Sequence, residues 1–258
     1  MLAGASRALG RALEGAFDAH RATRTYLLLE TIAVFALYQY GAKLAVGAAS
    51  AVGVVLPDMP LLRHTYIAFS VILLLLLWLR WRGETWASFG LIVPRKWLLY
   101  LGFGLGLAML QIALDGVVRS VSTPLIVGWT GANPHLDAQT FAAIEGNLPV
   151  YLLTVPSVWL FAAFGEEFLF RGYLMTRLAQ IFGRGKAAWT LAVLGQAAAF
   201  ALAHWYQGAV GMVPIGIGAV VTGMVCVRWG RNLWPAMIAH GLIDTLGFTM
   251  LYLGMPIS

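Results

Sequence analysis

The stretch PVYLLTVPSVWLFAAFGEEFLFRGYLMTRLAQIF, residues 149–182, decides the fold class. Apolar side chains fill most of it, yet three charged residues stand near its middle: Glu166, Glu167 and Arg171. A run of about 20 apolar residues can cross the hydrocarbon core of a bilayer as a helix. A charge inside such a helix costs about 2.5–3.5 kcal/mol on insertion scales and usually faces the protein interior, where it serves function. The stretch therefore predicts a membrane helix with a polar inner face.

The rest of the chain has the composition of a membrane protein. Hydrophobic residues make up 60% of its 258 residues and charged residues 11%, whereas about a quarter of a soluble domain is charged. The mean hydropathy is +0.79. We predict an all-α fold, a polytopic membrane helical bundle with about seven transmembrane helices. The predicted spans are 26–48, 65–82, 97–118, 149–182, 187–207, 209–228 and 233–254.

The segment before the first span differs from the rest. Residues 1–25 carry an apolar stripe at helical spacing, so we predict an amphipathic helix on the membrane surface; a loosely ordered tail is the alternative. Residues 26–258 then form one transmembrane domain, whose motif-bearing core is 149–254. Residues 120–148 form the longest external connection, either a lid over a site or an interfacial linker.

Basic residues indicate the orientation of the bundle. Fourteen of the 17 Lys and Arg residues fall in the N-terminal tail or beside every second connection, on one side of the predicted bundle. The positive-inside rule places that side in the cytoplasm. We therefore expect an integral protein of the bacterial inner (plasma) membrane with a cytoplasmic N-terminus. The same topology explains the net charge of +6 without a nucleic-acid partner.

The double glutamate can be interpreted with helix geometry. Arg171 follows Glu167 by four residues, so the two side chains share a helix face, and an acid before a base is the favourable order for an ion pair. A structural ion pair is the simple interpretation of these two residues. Glu166 is turned by about 100° from its neighbour in an α-helix. Its carboxylate is therefore available for another role.

Two histidine groups follow in later spans. Phe200 precedes His204 by four residues, and His240 precedes Asp244 by four. Each pair shares a helix face, so His240 and Asp244 can line one cavity and Phe200 can form part of its wall. A lone histidine in a membrane is often only a satisfied hydrogen-bond partner between helices.

The depth of these groups favours a common site. In an antiparallel helical hairpin, residues at equal distance from the turn lie at equal height. Glu166 and His204 each lie 19 residues from Gly185, where the fourth and fifth spans turn. His240 and Asp244 reach the same depth if the turn at 183–186 projects about 10–15 Å into the cytoplasm. Three polar groups at matched depth then indicate one functional centre within the membrane.

The ordered motifs Glu-Glu-x3-Arg, Phe-x3-His and His-x3-Asp resemble those of the CPBP family. That family comprises Abi-like CAAX proteases, including type II CAAX prenyl proteases, and bacteriocin-processing enzymes. The resemblance covers about residues 149–254 and implies a glutamate-dependent intramembrane endopeptidase. It implies Glu166, His204, His240 and Asp244 as the core of the catalytic site.

Two further residues, Glu167 and Arg171, match the remaining motif positions of the family. Asp244 departs from the family, where this position is often Asn. An Asn can donate a hydrogen bond to an oxyanion, but an ionised Asp cannot. Metal ligation, orientation of a histidine or a protonated Asp is therefore expected at this position.

The favoured mechanism uses no cofactor. Glu166 acts as the general base that activates a water held with His204, while His240 and Asp244 stabilise the oxyanion or orient the carbonyl group. The alternative mechanism places a divalent metal, zinc, at His204 and His240 together with a carboxylate.

The predicted partners are the lipid bilayer and a peptide or protein substrate, lipidated or embedded in the membrane. Prenylated C-terminal peptides, bacteriocin leaders and C-terminal sorting tails are the candidate substrates. A noncatalytic membrane scaffold or bacteriocin self-immunity protein of the same fold is the alternative function. A transporter is a third class, because Glu30, Lys43 and Asp115 lie in or near spans. Asp115, however, can pair with Arg119 four residues later.

Overall fold

The computed structural model describes residues 24–54, 60–132, 141–183 and 185–255. Within these ranges all regular structure is helical, which confirms the all-α class. The long helices are α1 (Arg24–Ala51), α2 (Pro60–Trp81), α3 (Trp97–Thr130), α4 (Leu148–Phe182), α5 (Lys186–Ala203), α6 (Gly208–Arg228) and α7 (Trp234–Tyr252). Short 3-10 helices cover Trp86–Phe89, Ala142–Ile144 and Trp205–Gln207. The predicted surface helix over 1–25 lies outside the described residues, apart from its last two, which begin α1.

The helices indicate an integral membrane protein. Large apolar side chains such as Leu73, Leu74 and Leu77 of α2 point outward. By length and composition, α3, α4, α5 and the segment Trp205–Arg228 that contains α6 can cross a membrane, and α1 is a fifth candidate if its two bent halves form one span. A helix lies at every predicted span, but crossing by all of them, and so the total of seven, stays a prediction.

Helix α3 is longer than predicted, because it continues to Thr130 instead of ending at residue 118. The helix itself satisfies the polar residues near the predicted end. Asp115 pairs with Arg119 at 2.8 Å, which confirms that predicted pair, and Ser120 donates to a carbonyl of its own helix. Gly131 ends the helix at φ 66°, the left-handed conformation that glycine favours. The first part of the predicted connection is thus helical, and residues 133–140 lie outside the described ranges.

Helix α4 has a wide central segment. Between its α-helical ends, Leu148–Ser157 and Met175–Phe182, residues Val158–Leu174 follow a π-helical pattern with i→i+5 hydrogen bonds. A π-turn holds more residues than the 3.6 of an α-turn, so neighbouring side chains are turned by less than the angle expected for the double glutamate. The π-helical segment contains both glutamates and the arginine of the first motif. Such segments occur frequently at functional sites.

Helix α4 is also central to the packing of the bundle, since it touches α1, α2, α5 and α7. Two of its glycines allow this close approach. A Cβ atom at Gly165 would lie 2.8 Å from a methyl group of Ile72 in α2. A Cβ atom at Gly172 would lie 2.6 Å from the carbonyl oxygen of Phe89 in the connection between α2 and α3. At Gly165 the Ile72 side chain would have to move, whereas at Gly172 the obstacle is backbone, so a larger side chain there would push α4 away from this connection.

A buried cluster of charges joins α1, α2 and α4. This Glu30 cluster comprises Glu30, Arg82, Glu84, Tyr173 and Arg177. Glu30 accepts hydrogen bonds from Arg82, from Arg177 at 3.0 Å and from the Tyr173 hydroxyl at 2.8 Å, and Arg177 pairs with Glu84 at 2.7 Å. The two arginine side chains are only 4% and 2% exposed. Arg82 and Arg177 are among the 14 basic residues used to predict the orientation. Both are buried ion-pair partners, and they neutralise the Glu30 carboxylate.

Candidate active site

One buried carboxylate links α4 to α7. Glu167 is 2% exposed. Its Oε1 lies 3.1 Å from Nη1 of Arg171 and accepts a hydrogen bond from Nδ1 of His240 at 2.9 Å. On the other side of the histidine ring, Nε2 lies 3.6 Å from Oδ2 of Asp244. The ion pair expected from the four-residue spacing is present, and Glu167 has a second partner that the spacing did not predict.

Glu166 meets different partners from its neighbour. Its Oε1 accepts a hydrogen bond at 3.1 Å from the hydroxyl group of Tyr38 in α1. Its Oε2 is buried and has no hydrogen-bond partner among the residues that the structure describes. Buried polar atoms in proteins are nearly always hydrogen-bonded. This oxygen therefore retains the capacity to accept a proton or a hydrogen bond from a bound molecule.

His204 directly follows the end of α5, and the carbonyl group of Phe200 fixes its ring. The His204 Nδ1 lies 2.8 Å from that carbonyl oxygen. Because a carbonyl oxygen can only accept, Nδ1 must donate, and Nε2 of the neutral ring is left as an acceptor. The Phe200 ring lies 4.6 Å from the His204 ring and 6.3 Å from the His240 ring, and the Arg171 guanidinium lies over its face at 3.9 Å. Phe200 is thus a wall that three predicted site residues share.

The predicted site residues come together at one depth in the bundle. Phe170 of α4 packs edge-on against Phe200 of α5 at 4.9 Å between ring centroids, and these two residues lie at equal distances from the turn between the helices. Glu166 and His204 are the next such pair, one turn further from it. His240 of α7 lies against the same Phe200 ring, and its Nε2 is 3.6 Å from Oδ2 of Asp244. Three separate helices therefore contribute to one cluster.

Polar contacts hold α7 in register against α4. The Trp159 indole donates to Thr245 at 3.0 Å, and the hydroxyl groups of Tyr151 and Thr249 lie 2.9 Å apart. Gly241 allows this contact, since a Cβ atom there would lie 2.6 Å from the Trp159 ring. Together with the bond between Glu167 and His240, these contacts form a ladder along the two antiparallel helices. The ladder fixes the height at which the α7 motif meets the α4 motif.

The side chains do not form a ready metal site. In the part of the chain that the structure describes, no group of three or more His, Cys, Asp or Glu residues could hold a metal ion. His240 directs both ring nitrogens at carboxylates, those of Glu167 and Asp244, and His204 uses Nδ1 for a backbone carbonyl. Catalytic zinc needs three protein ligands around one point. In this arrangement, the candidate ligand atoms do not fit the zinc site predicted as an alternative at His204 and His240.

Sequence reasoning missed Tyr38 as a member of this cluster. It precedes Glu166 by 128 residues, and no motif connects the two. The one available signal is a phenolic hydroxyl group within an apolar span, because a buried tyrosine usually finds a hydrogen-bond partner. That signal indicates that a partner exists, but the partner's identity depends on how α1 packs against α4.

The described structure thus combines an apolar helical bundle with a buried cluster of carboxylates and histidines. Within the chain, residues 148–246 match the family described as type II CAAX prenyl endopeptidase, Rce1-like. The match confirms the resemblance indicated by the motifs, and all six predicted site residues lie inside it. No curated protein and no solved structure matches the chain. The matched segment runs from the start of α4 into α7, so α1 and Tyr38 lie outside it.

Proposed function

We propose that the protein is a glutamate-dependent intramembrane endopeptidase that acts on a lipidated or membrane-embedded peptide and uses Glu166 to activate water. The observation that carries the proposal is the contrast between two adjacent carboxylates. Oε1 of Glu167 is shared by Arg171 and His240, whereas Glu166 is bonded to the uncharged hydroxyl group of Tyr38 and pairs with no cation in the described structure. Each carboxylate keeps one buried Oε2 without a partner there, but only that of Glu166 belongs to a group that no cation neutralises. A buried carboxylate that has no cationic partner is suited to accept a proton.

The site residues divide the reaction between them. Glu166 Oε2 takes a proton from a water molecule that also donates to Nε2 of His204, and the oxygen of that water attacks the scissile carbonyl carbon. His240 donates to the resulting oxyanion, and Asp244 orients the ring. Nδ1 of His240 donates to Glu167, whereas Nε2 lies 3.6 Å from Asp244, too far for a hydrogen bond, so the Nε2 proton is available to the oxyanion. Collapse of the tetrahedral intermediate breaks the C–N bond, and the proton held by Glu166 passes to the leaving amine.

The test of this proposal is peptide cleavage by purified protein in lipid vesicles. The probes are three internally quenched peptides: one with a farnesylated cysteine near its C-terminus, one bacteriocin leader and one apolar sorting tail. We expect the unaltered protein to cleave at least one of them, and Glu166→Gln and His204→Ala to reduce that cleavage at least about 10³-fold. The matched control is Asp115→Asn, which removes a carboxylate from a span outside the site and should keep full activity.

The outcomes separate the candidate functions. Cleavage by folded Glu166→Gln protein at the unaltered rate would falsify the assignment of the base. If the unaltered protein cleaves none of the three peptides, the result favours the noncatalytic scaffold or self-immunity role. Loss of activity in chelator, restored by zinc alone, would favour the metal mechanism over the one proposed.

The proposed location is a bacterial inner membrane with the N-terminus in the cytoplasm. Its support is the side of the bundle on which the basic residues cluster, including exposed residues such as Arg95 and Lys96 between α2 and α3. Single cysteines placed at these two positions should react with a membrane-impermeant reagent only after the cells are opened. Labelling of intact cells would reverse the orientation.

A further inference from the structure

The contact between Tyr38 and Glu166 brings α1 into the proposed catalytic site. Tyr38 is 6% exposed, and its ring packs edge-on against Phe170 at 5.7 Å between centroids. Phe170 lies four residues after Glu166 and is itself fully buried. Because the ring is held on Phe170, the hydroxyl group is directed at the carboxylate, to which it donates at 3.1 Å. The packing of one aromatic ring thus sets the position of one donor.

We propose that Tyr38 is a positioning residue for catalysis, whose hydroxyl group holds Oε1 of Glu166 so that Oε2 faces the attacking water. This inference rests on the proposed function, since it gives the base of that mechanism its orientation. A carboxylate on a glutamate side chain can rotate about its last bond. A hydrogen bond to one oxygen stops that rotation and fixes which lone pair is presented to the water.

A second buried carboxylate, Glu30, has a different environment. The comparison supports an orienting role for the hydroxyl group of Tyr38 rather than a structural one. Glu30 receives a tyrosine hydroxyl group as well, from Tyr173 at 2.8 Å, but it is also paired with Arg82 and Arg177. The oxygens of Glu30 accept hydrogen bonds that hold α1 against α4 and the end of α2. Tyr38 is the hydrogen-bond donor that the described structure gives Glu166, and the nearby guanidinium of the motif pairs with Glu167 instead. One carboxylate is neutralised, and the other is oriented and left able to accept a proton.

The test compares Tyr38→Phe with Tyr173→Phe. Each variant removes one hydroxyl group that bonds a buried glutamate, and each keeps the aromatic ring and its packing. The probe is the quenched farnesylated peptide in lipid vesicles. For Tyr38→Phe we expect kcat to fall roughly 10- to 100-fold while KM stays within about twofold, because a misplaced catalytic group lowers the rate without changing substrate binding. For Tyr173→Phe we expect kcat within about twofold of the unaltered value and a melting temperature lower by about 2–4 °C.

The results distinguish this inference from the proposed function on which it rests. If Glu166→Gln is inactive and Tyr38→Phe keeps its kcat, the inference fails and the proposed function stands. If Glu166→Gln remains active, the proposed function itself fails. A Tyr38→Phe protein that does not fold, or one whose loss appears only in KM, would assign the hydroxyl group to stability or substrate binding and overturn the positioning role.

Discussion

Glu166 and Glu167 are neighbours in the chain, yet their carboxylates meet separate partners. The side chains of Glu167 and Arg171 are each 3% exposed, and the guanidinium is also covered by the face of Phe200. Such a pair has lost its hydration on both sides, so either charge is costly when it stands alone. The carboxylate also fixes His240, through which the pair contributes to the site as well as to stability.

Replacement of Arg171 with Met tests the value of this buried pair. The change leaves Glu167 with His240 as its remaining partner, and we expect a loss of about 3 kcal/mol in the free energy of unfolding. A denaturant titration in detergent micelles measures it.

The double variant Glu167→Leu with Arg171→Met is the informative comparison. It removes both buried charges and should recover most of the lost stability, since an apolar pair of similar volume is often as stable as a buried ion pair. The double variant should not cleave the peptide, because His240 has lost its hydrogen bond to Glu167. Cleavage at the unaltered rate would show that Glu167 has no role in positioning the histidine.

At the residue level, the sequence predicts contacts that are local along a helix. The pair of Glu167 and Arg171 and the approach of His240 to Asp244 both follow from a four-residue spacing. The bond between His240 and Glu167 spans 73 residues, so it depends on the register between α4 and α7. That register is set by contacts such as the one between Trp159 and Gly241, which no periodic pattern encodes.

Among the helices, the packing of α4 depends most on Gly172. The atom nearest to a Cβ at this position is a backbone oxygen, that of Phe89, which cannot rotate away as a side chain could. Phe89 belongs to the 3-10 turn between α2 and α3, and its neighbour Gly90 accepts a hydrogen bond from the backbone of Leu233 at 3.0 Å. A shift of α4 here would therefore disturb two connections at once.

Gly172→Ala should lower the free energy of unfolding by about 1–3 kcal/mol, the usual cost of overpacking. The matched control is Gly102→Ala in α3, where a Cβ atom would meet nothing within 4 Å. Alanine is the better helix former, so the control should be as stable as the unaltered protein or slightly more stable. Equal melting temperatures for the two variants would contradict the close contact.

The helices are predicted well in position and less well in length and type. Apolar runs locate each helix, but α3 continues beyond residue 118 because Asp115 and Arg119 neutralise each other on its surface. The π-helical segment Val158–Leu174 has no sequence signal, since apolar runs without strong periodicity fit α and π geometry equally. The angle between the two glutamates could therefore be obtained only from the structure.

For the whole molecule, the Glu30 cluster is the main polar link between the N-terminal helices and the matched segment of the chain. Glu30 is the common partner of Arg82 and Arg177. Without that acid, Glu84, which is 24% exposed, would be the carboxylate that these two buried guanidinium groups share. The described partners of Glu30, namely Arg82, Arg177 and Tyr173, are not among the proposed catalytic residues.

Glu30→Gln should reduce the free energy of unfolding by about 3–5 kcal/mol, because it leaves buried charges without their counter-charge. The Asp115→Asn control breaks a partly exposed pair, with side chains 17% and 41% exposed, and should cost less than about 1 kcal/mol. In the fraction of Glu30→Gln protein that stays folded, kcat should be unchanged. A fall in kcat equal to that of a site variant would show that the cluster acts on catalysis.

The order of residues along the chain determines when the Glu30 cluster can form during synthesis. Arg82 follows Glu30 by 52 residues and Arg177 follows it by 147. While the ribosome is still translating the second half, Arg82 is already present as a partner for Glu30, but Arg177 is not. The guanidinium that completes the neutralisation arrives with α4, the helix that also brings the double glutamate. Insertion of that helix therefore completes the set of buried partners of Glu30, and a chain halted before it lacks Arg177 and Tyr173.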